Sequence, residues 1–504
     1  MERQFPISAV KMLNVWIALL FLGSVVSLSQ QQDMPSNGLS TVGLLRLGSK
    51  TNYRAVSAFN FPGGFPTTRP STPWSKICRP IQFYLFSRHG HRGLGDSDLE
   101  NARDFAADFR KRFPGASGAK WFVNYALPWD ITDDKLLTKV GKEDMELFGK
   151  RVVRLWPDLS LSANNTLFYT SSKSRTYESA KAFIDGFTSV LGKDRKDFQL
   201  NIDNLKTRFY EYCEKYKVSV DDNDTAMIEA ERFMEGPEME MVVTNVKRRL
   251  GIEAYNNTLI DKDRKALKDL YYMCQAELAE NITKPIWCYI FNDTDSIPME
   301  YYLDTEDYYA VSYGYDINTE MSCPLVKHIF DKLDAAKSGV ENMKDYQRGV
   351  FGFGHTGSLV PLLSAFGMFK PEKPLTASNF PQQINRKFRM SRADPFNGNL
   401  EFVLYECNRS AEEGLSPSEK AGLPVIERFM VEVYSNEKLT KLPFCDKELC
   451  PYSKVRDVMK SYLTCSLNTV CEVKTASGSD VPRITLLPLT MAIAMVLRTF
   501  GKEI

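Results

Sequence analysis

Three short apolar runs stand out along the chain: IQFYLFS (Ile81–Ser87), TLFYTSS (Thr166–Ser172) and GVFGFGH (Gly349–His355). None alternates strictly between polar and apolar residues, which is the pattern of strands buried on both faces of an α/β sheet. Between the first two, DKLLTKVGKEDMELFGKRVVRLW (Asp134–Trp156) repeats apolar residues at helical spacing through Leu137, Met145, Phe148 and Val152. After the second, SRTYESAKAFIDGF (Ser174–Phe187) reads as another helix. Strand–helix units of this kind predict an α/β fold with a mostly parallel sheet flanked by helices and a ligand site at the carboxyl ends of the strands.

From Ser189 to Lys327 the texture changes. The stretch is charged, has helix-like runs such as GPEMEMVVTNVKRRLG (Gly236–Gly251), and lacks a clear buried strand. It predicts an inserted α-helical cap at 189–327, dividing an α/β core into 30–188 and 328–475. FNFPGGFPTTRPSTP (Phe59–Pro73) is an irregular lead-in to the first strand.

The chain has 504 residues, 43% of them hydrophobic, enough for a large core. A net charge of +1 offers no basic surplus for nucleic acid, so an anionic ligand must meet a local cluster of positive charge. Lys11 precedes an apolar stretch with small residues at Ser27 and Ser29, which predicts a signal peptide over 1–29. Glycosylation sequons at Asn164, Asn223, Asn256, Asn281, Asn292 and Asn408 agree with a secretory route. In that compartment the ten cysteines read as disulfide material. Cys445 with Cys450, and Cys465 with Cys471, are close enough for local loops, although spacing does not fix the pairing. The tail 476–504 carries ITLLPLTMAIAMVL (Ile484–Leu497) after TASGSD, either a GPI-anchor signal or a folded amphipathic helix. The expected location is extracellular or at the cell surface, with membrane attachment if that anchor is processed.

Only four histidines occur, and two fall in RHGHR (Arg88–Arg92) after the first apolar run. Lys173 and Arg175 follow the second run, and His355 ends the third. Strand ends of one sheet can converge, so these groups can face one ligand. Arginines offer forked donors to phosphate oxygens and disfavour imidazolium, keeping a histidine neutral and nucleophilic. The chemistry that follows is phosphoryl transfer to His89 and hydrolysis of the phosphohistidine, with no cofactor and no metal called for. His91 and Lys173 read as rim residues, and His328, in PLVKHIFDKL, as structural.

RHGHR matches the R-H-G-x-R signature of the histidine acid phosphatases, branch 2 of the histidine phosphatase clan. TSSKSRTYESAKAF, EGPEME, YGYDIN, FGHTGSLVPLLSAFGMFK and INRKFRMSRADPFNGNLEFVLYEC extend the likeness over roughly Cys78 to Cys471. Within that family the chain resembles the multiple inositol polyphosphate phosphatases. The resemblance implies His89 as nucleophile, Arg88, Arg92 and Arg175 as phosphate clamp, and His355 as the second pocket histidine. It also implies an α/β core with a helical cap, and inositol hexakisphosphate and related inositol phosphates as substrates.

The family's second histidine is normally followed by an acid, as H-A-E or H-D, which protonates the departing alkoxide. Here the sequence is His355-Thr356-Gly357, and Leu94 stands where a proline is common after the first motif. A positioned general acid contributes about 10²–10⁴-fold, most of it felt with poor leaving groups. Asp96 and Asp98 are the carboxylates nearest in sequence to the first motif. The expected function is an inositol polyphosphate phosphatase. The alternative is a weakened or inactive member that binds phosphorylated ligands.

Overall fold

The computed structural model describes residues 43–473 apart from 70, 123–124, 131–133, 257, 263, 281 and 283–284. The expected signal peptide and the hydrophobic tail lie outside these residues, as does Asn281.

The sheet contains β1 (Cys78–Arg88), β2 (Thr166–Thr170), β3 (Leu200–Ile202), β4 (Gly349–Gly354), β5 (Asn399–Cys407), β6 (Phe429–Ser435), β7 (Lys438–Leu439) and β8 (Cys450–Pro451). Their order is β3-β2-β4-β1-β5-β6-β7, with β8 also paired to β6. The three apolar runs of the sequence are β1, β2 and β4, and they lie side by side in parallel. The sheet is less uniformly parallel than the strand–helix pattern predicts. From β1 onward through β5, β6 and β7 every pairing is antiparallel.

Side chains of β1 alternate between two hydrophobic layers. Phe83 and Leu85 join Phe168, Phe351 and Phe353 beneath α2 (Lys139–Leu155) and α3 (Ser174–Leu191). Tyr84 and Phe86 face the opposite layer, with α7 (Cys323–Asn342) and α8 (Thr356–Ala365). This two-sided burial explains why the strands read as continuous apolar runs. A third cluster is built from α1 (Asp96–Arg112), α4 (Pro237–Leu250), α5 (Ala266–Ala279) and α6 (Asp293–Val311).

Two sequence boundaries move. The helix expected from Asp134 starts at Lys139, because the Thr138 side chain caps it by accepting from Gly141 N at 3.1 Å. Leu137 instead forms a bridge with Arg92. The stretch expected to be cap from 189 also supplies β3, which pairs with β2 and is too short to leave an apolar run. The helical cluster, for its part, draws on α1, which precedes that stretch.

The cysteines pair as Cys78–Cys407, Cys213–Cys471, Cys274–Cys288, Cys323–Cys465 and Cys445–Cys450. The local Cys445–Cys450 loop forms. A Cys465–Cys471 loop does not, because both residues reach back across the molecule to Cys323 and Cys213.

Candidate active site

Parallel registration brings the strand ends together. Arg88 is opposite Gly354, while Phe353 sits between Ser87 on one side and Thr170 on the other. The residues that follow β1, β2 and β4 therefore emerge at one edge, and these are the polar clusters of the sequence. Gly90 is required by close approach: a Cβ there would stand 2.7 Å from the carbonyl oxygen of Gly141 in the first turn of α2.

His89 is buried, and its Nδ1 lies 2.8 Å from the Gly90 carbonyl. A carbonyl can only accept, so Nδ1 carries the proton and Nε2 keeps its lone pair. Burial, then the charges of Arg88, His355, Arg175 and Arg92, push its pKa well below the ordinary histidine value. His355 stands edge-on to it, with ring centroids 5.5 Å apart. Its Nδ1 is 3.4 Å from Arg175 Nη2 and its Nε2 2.9 Å from Ser171 Oγ. Arginine only donates, so Nδ1 of His355 accepts and Nε2–H points to Ser171. Burial and the charges of Arg175 and Arg208 lower its pKa strongly as well.

The three arginines differ in how firmly they are held. Arg88 is buried, donates from Nη1 to the backbone oxygens of Ser49 and Asp394, the latter at 2.7 Å, and meets Asp394 Oδ2 at 3.2 Å. Arg92 bonds the Gly93 carbonyl at 2.7 Å; burial, with Arg88 and Arg175 nearby, lowers its pKa to about 10. Arg175, in the first turn of α3, has a buried Nε without a partner among the described residues. Free donors beside a free imidazole nitrogen suit a tetrahedral oxyanion.

Lys173 is exposed immediately before α3, and its charge reaches His355. His91 is not on the rim. It is buried, 2.8 Å from Thr138 Oγ1 and edge-on to Phe396 at 4.6 Å, so it fixes the loop to the start of α2. His328 bonds Tyr84 OH at 2.8 Å, a structural contact. Asp98 caps α1 by accepting from Gly95 N at 3.0 Å, while Asp96 is exposed.

Sequence reasoning missed three groups. Arg208, after β3, has a buried Nε without a partner among the described residues and adds its charge at His355. Lys50 is half-buried, with its ammonium over the Tyr272 ring, 2.9 Å from the centroid, and Arg92 close enough to join burial in lowering its pKa. Asp394 is fully buried against Arg88. None of the three adjoins a histidine motif or an apolar run. The space beside Gly357 is also taken: a Cβ at 357 would lie 2.9 Å from Tyr210 Cε1.

The site's stretch of chain matches a known family description. Histidine phosphatase superfamily (branch 2) matches residues 81–435. The Homo sapiens protein multiple inositol polyphosphate phosphatase 1 is 29% identical over 494 residues, covering 92% of this chain and 95% of that protein. The Gallus gallus protein of the same name is 29% identical over 406 residues, covering 80% and 86%. The phytase from D. castellii has the same fold, with a TM-score of 0.67 at 17% identity over 86% of this chain and 88% of that one. So has the Bifidobacterium longum multiple inositol polyphosphate phosphatase in complex with inositol hexasulfate, at 0.58 and 16% over 80% and 95%. The match covers well over half of the chain and includes His89, His355, Arg88, Arg92 and Arg175, so the chain belongs to branch 2 of the histidine phosphatase superfamily.

Proposed function

We propose that this chain is a secreted phosphomonoesterase that removes phosphates from inositol polyphosphates through a phosphohistidine on His89. The observation that carries the reading is the Gly90 contact, which leaves Nε2 of a neutral His89 as the free nucleophile among Arg88, Arg92 and Arg175. Nε2 attacks phosphorus as the bond to the leaving oxygen breaks. The arginines balance charge on the three phosphoryl oxygens, and water then displaces His89 from phosphorus. His355 keeps Arg175 oriented toward that group. Arg208 and Lys173 add positive charge around the pocket, which a polyphosphate needs and a net charge of +1 does not supply by itself.

Inositol phosphates enter as the substrate class through the relatives, which carry that activity in their names. Five disulfides, and sequons exposed at Asn164, Asn256 and Asn408, support passage through an oxidising secretory compartment. Among the described residues no helix is long and apolar enough to cross a membrane. Attachment would fall to the C-terminal tail.

One observation favours a second reading, a weakened enzyme or a binder of phosphorylated ligands. Tyr210 occupies the space in which an acidic side chain at 357 would stand. The test is phosphate release from inositol hexakisphosphate and from an aryl phosphate, with His89→Ala as control. Turnover of both, lost in the control, is the expected result. Turnover of the aryl ester alone favours the weakened enzyme, and turnover of neither favours the binder.

A further inference from the structure

Arg88 takes one of its restraints from a part of the chain that precedes the stretch matching the family description, 81–435. The Ser49 carbonyl accepts from Arg88 Nη1, and the Asp394 carbonyl accepts from the same nitrogen at 2.7 Å. Nη1 carries two N–H groups, so these two carbonyls are enough to fix the plane of the guanidinium. Among the described residues Nε and Nη2 have no hydrogen-bond partner, and Nε is buried. The Nε–Nη2 edge can fork side-on onto a phosphate.

Ser49 is itself firmly placed. It lies in the turn Gly48–Lys50, which the chain enters through Gly48 at a φ of 52°, in the left-handed region. The turn closes on the Gly48 carbonyl, which accepts from Thr51 N at 3.2 Å and from the buried Thr51 Oγ1 at 2.8 Å. Its flanks are tied to both sides of the pocket. Towards the helical cluster, Tyr271 OH of α5 donates to the Arg46 carbonyl at 3.1 Å, and Asn52 Nδ2 donates to the Ala279 carbonyl at 2.8 Å. Between those two bonds the Lys50 ammonium sits over the Tyr272 ring. Towards the sheet, Phe396 N donates to the Thr51 carbonyl at 3.1 Å. The next residue, Asn397, donates from its N to the His89 carbonyl at 3.1 Å. A turn anchored on both sides has little freedom to follow Arg88, so Arg88 follows the turn.

We propose that the turn Gly48–Lys50 is a positioning element of the active site: through the Ser49 carbonyl it holds Arg88 with its Nε–Nη2 edge open to the phosphoryl group. The inference rests on the reading of the pocket as a phosphate site. Gly48 is the point at which the turn can be disturbed without touching the pocket. A Cβ there would meet Leu303 Cδ1 at 3.3 Å, the end of a flexible side chain, so the backbone angle is what a substitution strains.

The test is a double-variant cycle on the full chain, read by calorimetric binding of inorganic phosphate. Its members are wild type, Gly48→Val, Arg88→Ala and the two changes together. Gly48→Val should raise the Kd for phosphate on the order of 10-fold, the effect of spoiling a charge-assisted hydrogen bond. It should also lower kcat for 4-nitrophenyl phosphate by about 10–10²-fold. Gly48→Asn, a residue that tolerates the left-handed region, should recover most of both losses. In the Arg88→Ala chain, Gly48→Val should change the Kd by less than about 2-fold, because the group it acts through is gone. Should Gly48→Val not fold, Thr51→Val takes its place in the cycle, with a rise of about 3-fold for the lost hydroxyl bond. An equal factor with and without Arg88, or an unchanged Kd in the folded variant, overturns the proposal and leaves the turn as packing alone. Wild type that binds phosphate but hydrolyses no ester overturns the phosphatase reading only, and the binding cycle still decides on the turn. Folded wild type that binds no phosphate overturns both.

Discussion

At His89 the surroundings that would hold a phosphate in the proposed reaction also keep Nε2 unprotonated. Burial contributes most to lowering its pKa, and the neighbouring cations add to it. A base whose pKa is lowered stays unprotonated below its ordinary titration range, so Nε2 keeps its lone pair in acid. The pH profile of kcat for an aryl phosphate should therefore show no acid limb near the ordinary histidine value of about 6.5. A limb there would mean a solvated imidazole and would contradict the geometry. Arg175 makes a complementary case. Among the described residues its guanidinium bonds only His355, and its Nε has no partner. Arg175→Ala should reduce kcat on the order of 10²–10³-fold, the usual effect of removing one donor to a developing oxyanion. Steady-state rates with a Tm check separate that loss from unfolding.

α2 and α3 meet through glycine, and that contact sets where Arg175 begins its turn. A Cβ at Gly149 would lie 2.1 Å from the Phe183 oxygen, and one at Gly186 would lie 1.9 Å from the Glu146 oxygen. Both obstacles are backbone atoms, so Gly149→Ala or Gly186→Ala must push the helices apart. The overpacking costs about 1–3 kcal/mol, against about 1 kcal/mol gained from alanine's helix propensity. Lower denaturation midpoints in both variants are expected, and a rise in either would show that the helices have room. The apolar face of α2 was legible in the sequence, because Met145, Phe148 and Val152 recur at helical spacing. So were β1, β2 and β4, with the chemistry at their ends. β3 was not, being three residues long, and Arg208 was hidden with it. Asp394 was not legible as part of the site either. Its place depends on its backbone oxygen and carboxyl gripping Arg88, from 306 residues further along the chain. Such contacts are tertiary and leave no period in the sequence.

Across the whole molecule, distant parts are joined by buried charge and by disulfides. Arg386 donates to Asp304 of α6, at 2.9 Å from Nε, while Arg389 meets Glu300 at 3.1 Å. This ties α6 to the segment leading to Asp394. Arg386→Ala would leave a buried Asp304 carboxylate without its partner and should cost about 3–5 kcal/mol, read from chemical denaturation. The disulfides allow a sharper comparison. Cys213–Cys471 closes a sequence separation of 258 residues, whereas Cys445–Cys450 closes one of 5. If cross-links act chiefly by restricting the unfolded chain, loop-closure entropy assigns about 5.5 kcal/mol to the first and about 2 kcal/mol to the second. The paired variants Cys213→Ala/Cys471→Ala and Cys445→Ala/Cys450→Ala should lose stability in that order, by a margin of about 3.5 kcal/mol. Urea unfolding of both, with the remaining disulfides intact, measures the margin directly. Equal losses would place the effect in native packing around the cysteines, since Cys213, Cys445, Cys450 and Cys471 all belong to the same hydrophobic layer behind the sheet.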